Sequence, residues 1–208
     1  MIKEAKNLVI IFWIISLVFF VLGCLYKIFY IFSALGAFST LFLVYFFRDP
    51  ERKIKIDDTI LYSPTDGKIF EITEDENFYC IKIFLSIFDV HIQRSPASGV
   101  VRRIEYKKGK FTLAGKATAS ILNEKNSIEI YIQAVNNFIR VTQIAGKLAR
   151  RIICWVKQDM AIKQGQKIGA ILLGSQVDLE IPKSNFKLLV FKNQKVYAGL
   201  TPVAILVK

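Results

Sequence analysis

The chain has 208 residues, enough for one ordinary domain and an appendage, and 53% of them are hydrophobic, more than a soluble domain of this size carries. Its net charge is +12; residues 1–47 hold three lysines against one glutamate, so the remainder still carries +10. The single histidine excludes a multi-histidine metal site, and three scattered cysteines argue against a disulfide framework and for a reducing compartment.

The apolar excess lies at the start. Residues 8–26 form one apolar run and residues 28–47 a second, separated by Lys27. Each is long enough to cross about 30 Å of hydrocarbon at roughly 20 residues per helix. A single helix would be twice too long and would bury Lys27, so the runs read as a transmembrane helical hairpin over 1–47. Lys3 and Lys6 precede the first span, and Arg48, Arg52, Lys53 and Lys55 follow the second, which puts both ends on the cytoplasmic side of the cell membrane. A cleaved signal peptide fits poorly, because the first run is long and no small-residue cleavage site follows it. The basic remainder, 48–208, suits anionic lipid headgroups. It has no aromatic-basic RNA motif or recognition helix, so nucleic acid is not expected as a partner.

After the charged exit Arg48-Asp49-Pro50-Glu51-Arg52 the pattern changes to short strands. They fall at 68–73, 78–86, 100–106, 127–135, 138–144, 166–172 and 177–181, punctuated by turn residues such as Pro64-Thr65-Asp66-Gly67 and Asn136-Asn137. Regular strand spacing without long helical periods predicts a mainly β domain, an antiparallel barrel or sandwich. A carrier module with Lys116 as its modified residue is an alternative reading, supported only by Gly115-Lys116-Ala117 and a turn at 162–169 of the kind found in lipoyl and biotinyl domains. A non-enzymatic membrane-anchored β domain is another.

Three positions could carry chemistry. Gly174-Ser175 interrupts a strand pattern in which Val177, Leu179 and Ile181 alternate with Gln176, Asp178 and Glu180; a glycine there marks either a bulge or a close backbone approach. Asp66 sits in a turn, where carboxylates commonly bond nearby amides. His91 lies among apolar residues, where an imidazole is commonly structural. Together they are a serine, a histidine and an aspartate in one small domain, the set that activates a hydroxyl.

Several motifs in order resemble the short, membrane-anchored prokaryotic phosphatidylserine decarboxylases. They are the apolar hairpin with Phe46-Phe47-Arg48-Asp49-Pro50-Glu51-Arg52, then Ser63-Pro64-Thr65-Asp66-Gly67-Lys68-Ile69, the stretch from Phe84 to Pro96, Asn123-Glu124-Lys125-Asn126, and the stretch from Leu173 to Pro182. The resemblance implies a lyase acting on phosphatidylserine in the membrane, with a pyruvoyl cofactor made from its own chain and neither metal nor pyridoxal phosphate. It implies that Ser175 attacks the carbonyl of Gly174 and ends as the pyruvoyl group, which holds the substrate amine as a Schiff base. The zymogen would become a β chain, 1–174, and an α chain, 175–208, that stay associated; a homo-oligomer is compatible with this. His91 is implied as the base in self-cleavage and the acid in decarboxylation, and Asp66 as the group that orients it. Long-chain relatives have a second histidine where Arg94 stands here, which makes Arg94 a candidate substrate contact. Gln176, beyond the cut bond, is expected to tolerate change.

Overall fold

The computed structural model describes residues 1–2, 5–112, 115, 117–146, 151–172 and 175–207. It divides into two compact units, Met1–Glu51 and Arg52–Lys208.

In the first unit, α1 (Lys6–Gly23) and α2 (Phe29–Phe46) form a hairpin-like pair, with Lys27 in the turn between them. Small residues let the helices approach closely: Ser16 Oγ donates to the Ser33 carbonyl at 2.8 Å, and a Cβ on Gly36 would lie 2.9 Å from Ser16 Cβ. Away from this seam the helices expose Trp13, Val21, Phe38 and Leu41. A helix apolar on all sides needs a core or a bilayer around it. Both helices are long and apolar enough to cross a membrane.

The second unit is mainly β. In chain order its elements are β1 (Ile60–Tyr62), β2 (Gly67–Glu74), β3 (Phe78–Leu85), β4 (Ile92–Arg94), β5 (Gly99–Lys107), α3 (Ala117–Leu122), β6 (Lys125–Ile132) and β7 (Asn137–Ala145). Then come β8 (Arg151–Cys154), β9 (Ala161–Ile162), β10 (Lys167–Leu172), β11 (Ser175–Pro182), β12 (Phe186–Leu188), β13 (Lys195–Val196) and β14 (Pro202–Leu206). An eight-stranded antiparallel sheet, ordered β13-β2-β3-β11-β7-β6-β5-β9, curls into a half-barrel, beside two three-stranded sheets, β1-β14-β12 and β4-β10-β8.

The long strands stand where alternation predicted them. One ends early: the run expected over 127–135 stops at Ile132, because Gln133–Val135 turns as a 3-10 helix and Asn136 takes a left-handed φ of 51°. The strands of two to five residues escaped prediction because alternation needs more length to show.

Alternation sets the core. Ile81, Ile83 and Leu85 of β3, Val177, Leu179 and Ile181 of β11, and Ile139 and Val141 of β7 point to one face and are fully buried. Burying each such side chain contributes about 1.5–3 kcal/mol. The opposite face is polar and forms a groove of about 480 Å³ between Lys82, Lys125, Glu129, Arg140, Asp178 and Glu180.

Candidate active site

Ser175 is the first residue of β11, and β10 ends at Leu172 in a different sheet. Pairing of β11 is regular from its first residue, with Ser175 opposite Leu85 on one side and Ala145 on the other. The interruption in the sequence pattern is therefore a junction where the chain changes sheet. Gly174, the other half of the candidate cleavage site, lies outside the described residues, as does Lys116 of the carrier reading. Ser175 is fully buried on the core face, in phase with Val177, and its Oγ has no hydrogen-bond partner among the described residues. A buried hydroxyl left unsatisfied costs about 1–3 kcal/mol. Such an orphan needs an explanation, and chemistry is one.

The backbone of His91 is tied to the neighbourhood of this junction in two ways. β3 ends at Leu85, opposite Ser175, six residues before His91. The His91 carbonyl accepts the Ile171 amide at 3.1 Å, four residues before Ser175. The same carbonyl accepts Gln93 Nε2 at 3.1 Å. His91 Nδ1 lies 2.8 Å from the Asp89 carbonyl. A carbonyl only accepts, so Nδ1 carries the proton, and in the neutral ring Nε2 is the basic nitrogen. This tautomer follows from the hydrogen-bond network.

The Asp89 carbonyl is itself held in place. One carboxylate oxygen of Asp89 accepts the Ser86 amide at 2.8 Å and the Ser86 hydroxyl at 2.7 Å, closing a tight turn. The other pairs with the Lys195 ammonium. Burial pushes the Asp89 carboxyl up, but the hydrogen bonds from Lys195 and Ser86 outweigh it and hold it below the usual carboxylate range. Asp89 therefore stabilises the fold above the ordinary carboxylate pKa, and that contribution is lost as pH falls through its own depressed value. Lys195→Met removes a lowering partner, so acid unfolding of the variant begins at a higher pH than in the parent. Superimposable acid-unfolding curves by circular dichroism would contradict this.

Asp66 occupies a neighbouring clamp. Its two oxygens accept the Arg52 guanidinium at 2.8 Å and the Ala198 amide at 2.8 Å, and Arg52 also donates to the Ala198 carbonyl at 2.7 Å. Both ionic side chains are almost fully buried, 7% and 6% exposed. Orientation of His91 by the Asp66 carboxylate thus meets a different geometry. The hydrogen bond on Nδ1 goes to a backbone carbonyl two residues away, and the carboxylate ties Arg52 to the 198 backbone. Gly67 follows Asp66 with φ 154°, where a Cβ would lie 2.4 Å from the Phe84 carbonyl oxygen. Arg94, the candidate substrate contact, is buried and donates to the Gly165 carbonyl at 3.0 Å, which braces the 164–165 turn.

The polar residues behind His91 went unnoticed in the sequence. Gln143 Nε2 donates to Gln93 Oε1 at 2.9 Å and Asn126 Nδ2 to Gln143 Oε1 at 2.9 Å, all three fully or almost fully buried. A signal was present. Gln143 falls in phase with Ile139 and Val141, and a glutamine at a core position of an alternating strand requires partners. Gln176 is likewise more than a bystander: buried, it accepts the Gly115 amide at 3.2 Å and donates to Ser120 and Asp178. Cys80 is no rival nucleophile, because burial, with Asp178 and Glu180 nearby, pushes its thiol up to about 12.

Over residues 39–204 the chain matches the family model described as phosphatidylserine decarboxylase. The class is thus that of a decarboxylase, a carboxy-lyase. The chain is 42% identical over 173 residues to a phosphatidylserine decarboxylase proenzyme of Carboxydothermus hydrogenoformans, covering 78% of this chain and 79% of the relative. It is 39% identical over 174 residues to one of Ehrlichia chaffeensis, 80% of this chain and 76% of that one. A putative archaetidylserine decarboxylase proenzyme of Methanosarcina acetivorans is 42% identical over 170 residues, 82% and 78% of the two chains. The chain belongs to the phosphatidylserine decarboxylase family.

Proposed function

We propose that the chain cuts itself between Gly174 and Ser175 and that the product converts phosphatidylserine to phosphatidylethanolamine and CO2. The observation that carries this is the buried Ser175 hydroxyl, without a hydrogen-bond partner among the described residues, close in the fold to His91, which is held with Nε2 as its basic nitrogen. His91 takes the hydroxyl proton, Oγ attacks the Gly174 carbonyl, and the C–N bond breaks as its nitrogen recovers the proton. The result is an ester. Loss of the Ser175 Cα proton expels the Gly174 carboxylate, and water then releases ammonia, leaving a pyruvoyl group on residue 175. That group supplies the conjugated carbonyl that accepts electrons as CO2 departs. His91 is the acid that returns a proton to the product carbon. Asp66 acts at a distance, as a positioning residue that holds Arg52 and the backbone at 198.

The fold supports a cut at this point. All of β10 stays in the large fragment, paired with β4 and β8. The small fragment contributes β11 between β3 and β7, β13 beside β2, and β14 between β1 and β12. Its 34 residues, 175–208, are therefore woven through two sheets. The fragments should co-elute on native size exclusion and separate only under denaturation; free small fragment in native buffer would contradict this threading.

The relatives' names share a serine headgroup and differ in the lipid that carries it. The basic surface favours the anionic substrate over its zwitterionic product. We place α1 and α2 across the cell membrane with both ends on the cytoplasmic side, which keeps the catalytic domain beside its lipid. Purified chain mixed with phosphatidylserine vesicles should release CO2 and form phosphatidylethanolamine. A cleaved chain that leaves the headgroup unchanged would remove this reading.

A further inference from the structure

The catalytic domain exposes apolar side chains where a soluble surface would carry polar ones. In the turn before His91, Ile87 is 37% exposed and Phe88 65%. In the small fragment Phe191 is 68% exposed, Tyr197 48% and Leu200 45%. The Asp89–Lys195 ion pair ties the two segments together. The 191–194 turn is fixed to β2 through hydrogen bonds between Asn193 and Ile69 and between Ile69 and Gln194. Lys195 pairs with Lys68, which pairs with Phe84, and beside them lies an apolar cavity of about 200 Å³ lined by Lys68, Phe70, Phe84 and Gly115.

Charge says what covers this rim. Residues 191–200 contain two lysines and no aspartate or glutamate. They are Lys192 and Lys195, exposed between Phe191 and Tyr197, Lys195 while also paired with Asp89. Aromatic residues interleaved with lysines match a bilayer interface, where rings enter the headgroup boundary and ammonium groups meet anionic lipid. We propose that the 86–89 turn and the 191–200 segment dock on an anionic phospholipid surface, in addition to any anchoring by the apolar helices. The docked rim includes the turn whose Asp89 carbonyl holds His91, so lipid is presented at the active site. This partner assignment rests on the lipid substrate proposed above.

The test reads lipid contact without turnover. Full-length chain carrying C24A, C80A and C154A receives one cysteine at Phe88, Phe191 or, as a control at the distant 75–78 turn, Glu76, and each is labelled with an environment-sensitive fluorophore. In vesicles of phosphatidylcholine with phosphatidylglycerol, labels at 88 and 191 should be quenched about twofold by lipid nitroxides placed just below the headgroup, consistent with insertion of about 5–10 Å. The label at 76 should not respond. Equal responses at all three positions would overturn the proposal. So would crosslinking of two copies through positions 88 and 191 without lipid quenching, which assigns the face to a second copy of this chain. An uncut or inactive protein with quenched labels would instead remove the decarboxylase reading and leave docking standing.

Discussion

Ser175→Ala will leave the chain whole and abolish decarboxylation without lowering stability. The two halves of that result have separate causes. In the proposed reaction the hydroxyl is the nucleophile that opens the Gly174–Ser175 bond and the source of the new carbonyl, so its removal takes away both steps. In a comparable hydroxyl-based site, deleting the nucleophile alone costs about a millionfold in rate. Stability responds in the opposite direction. Ser175 Oγ is buried with no hydrogen-bond partner among the described residues, so removing it deletes an unsatisfied polar group at a site where alanine fits. The variant should therefore melt at or above the temperature of an uncut parent. Small fragment appearing from Ser175→Ala would remove Ser175 from the mechanism. A melting temperature well below the parent's would show that the hydroxyl is satisfied and structural.

Arg52→Leu should cost about 3–5 kcal/mol, the usual penalty for leaving one buried partner of an ion pair alone. Among the described residues, Asp66 would keep only the Ala198 amide, and the Ala198 carbonyl would lose its Arg52 donor. At about 2–4 °C per kcal/mol for a domain of this size, the midpoint should fall by roughly 10 °C. Arg52→Leu with Asp66→Leu should recover most of that loss, because a buried pair replaced by apolar residues is often neutral. Maturation should stay slow in the double variant, since the backbone at 198 is no longer held by Asp66. That split distinguishes positioning from plain stability. A single variant losing under about 1 kcal/mol would mean the pair is solvated and the clamp unimportant.

The residues that were easy to read are those whose pattern is local. Val177, Leu179 and Ile181 declared a strand and its buried face from spacing alone, and the two apolar runs declared a pair of helices. Ser175 and His91 could be singled out because serine and histidine are scarce in such company. What stayed hidden depends on pairing across the chain. Nothing near Asp66 in sequence announces that Arg52 and Ala198 take its oxygens, 14 and 132 residues away. Nothing near Asp89 announces Lys195, 106 residues away. The Nδ1 partner of His91 was missed for another reason: it is a backbone carbonyl, which every residue has, aimed by the turn that Ser86 and Asp89 close. Gly174-Ser175 looked like a fault within one strand because sequence does not show that β10 and β11 belong to different sheets.

Denaturing mass spectrometry of the purified full-length chain tests self-cleavage most directly. Two fragments should appear, 1–174 and 175–208, the smaller lighter by one ammonia than the same peptide beginning with serine and blocked to amine-directed sequencing. A single uncut polypeptide of 208 residues, or a small fragment with an intact amino-terminal serine, would contradict the proposal.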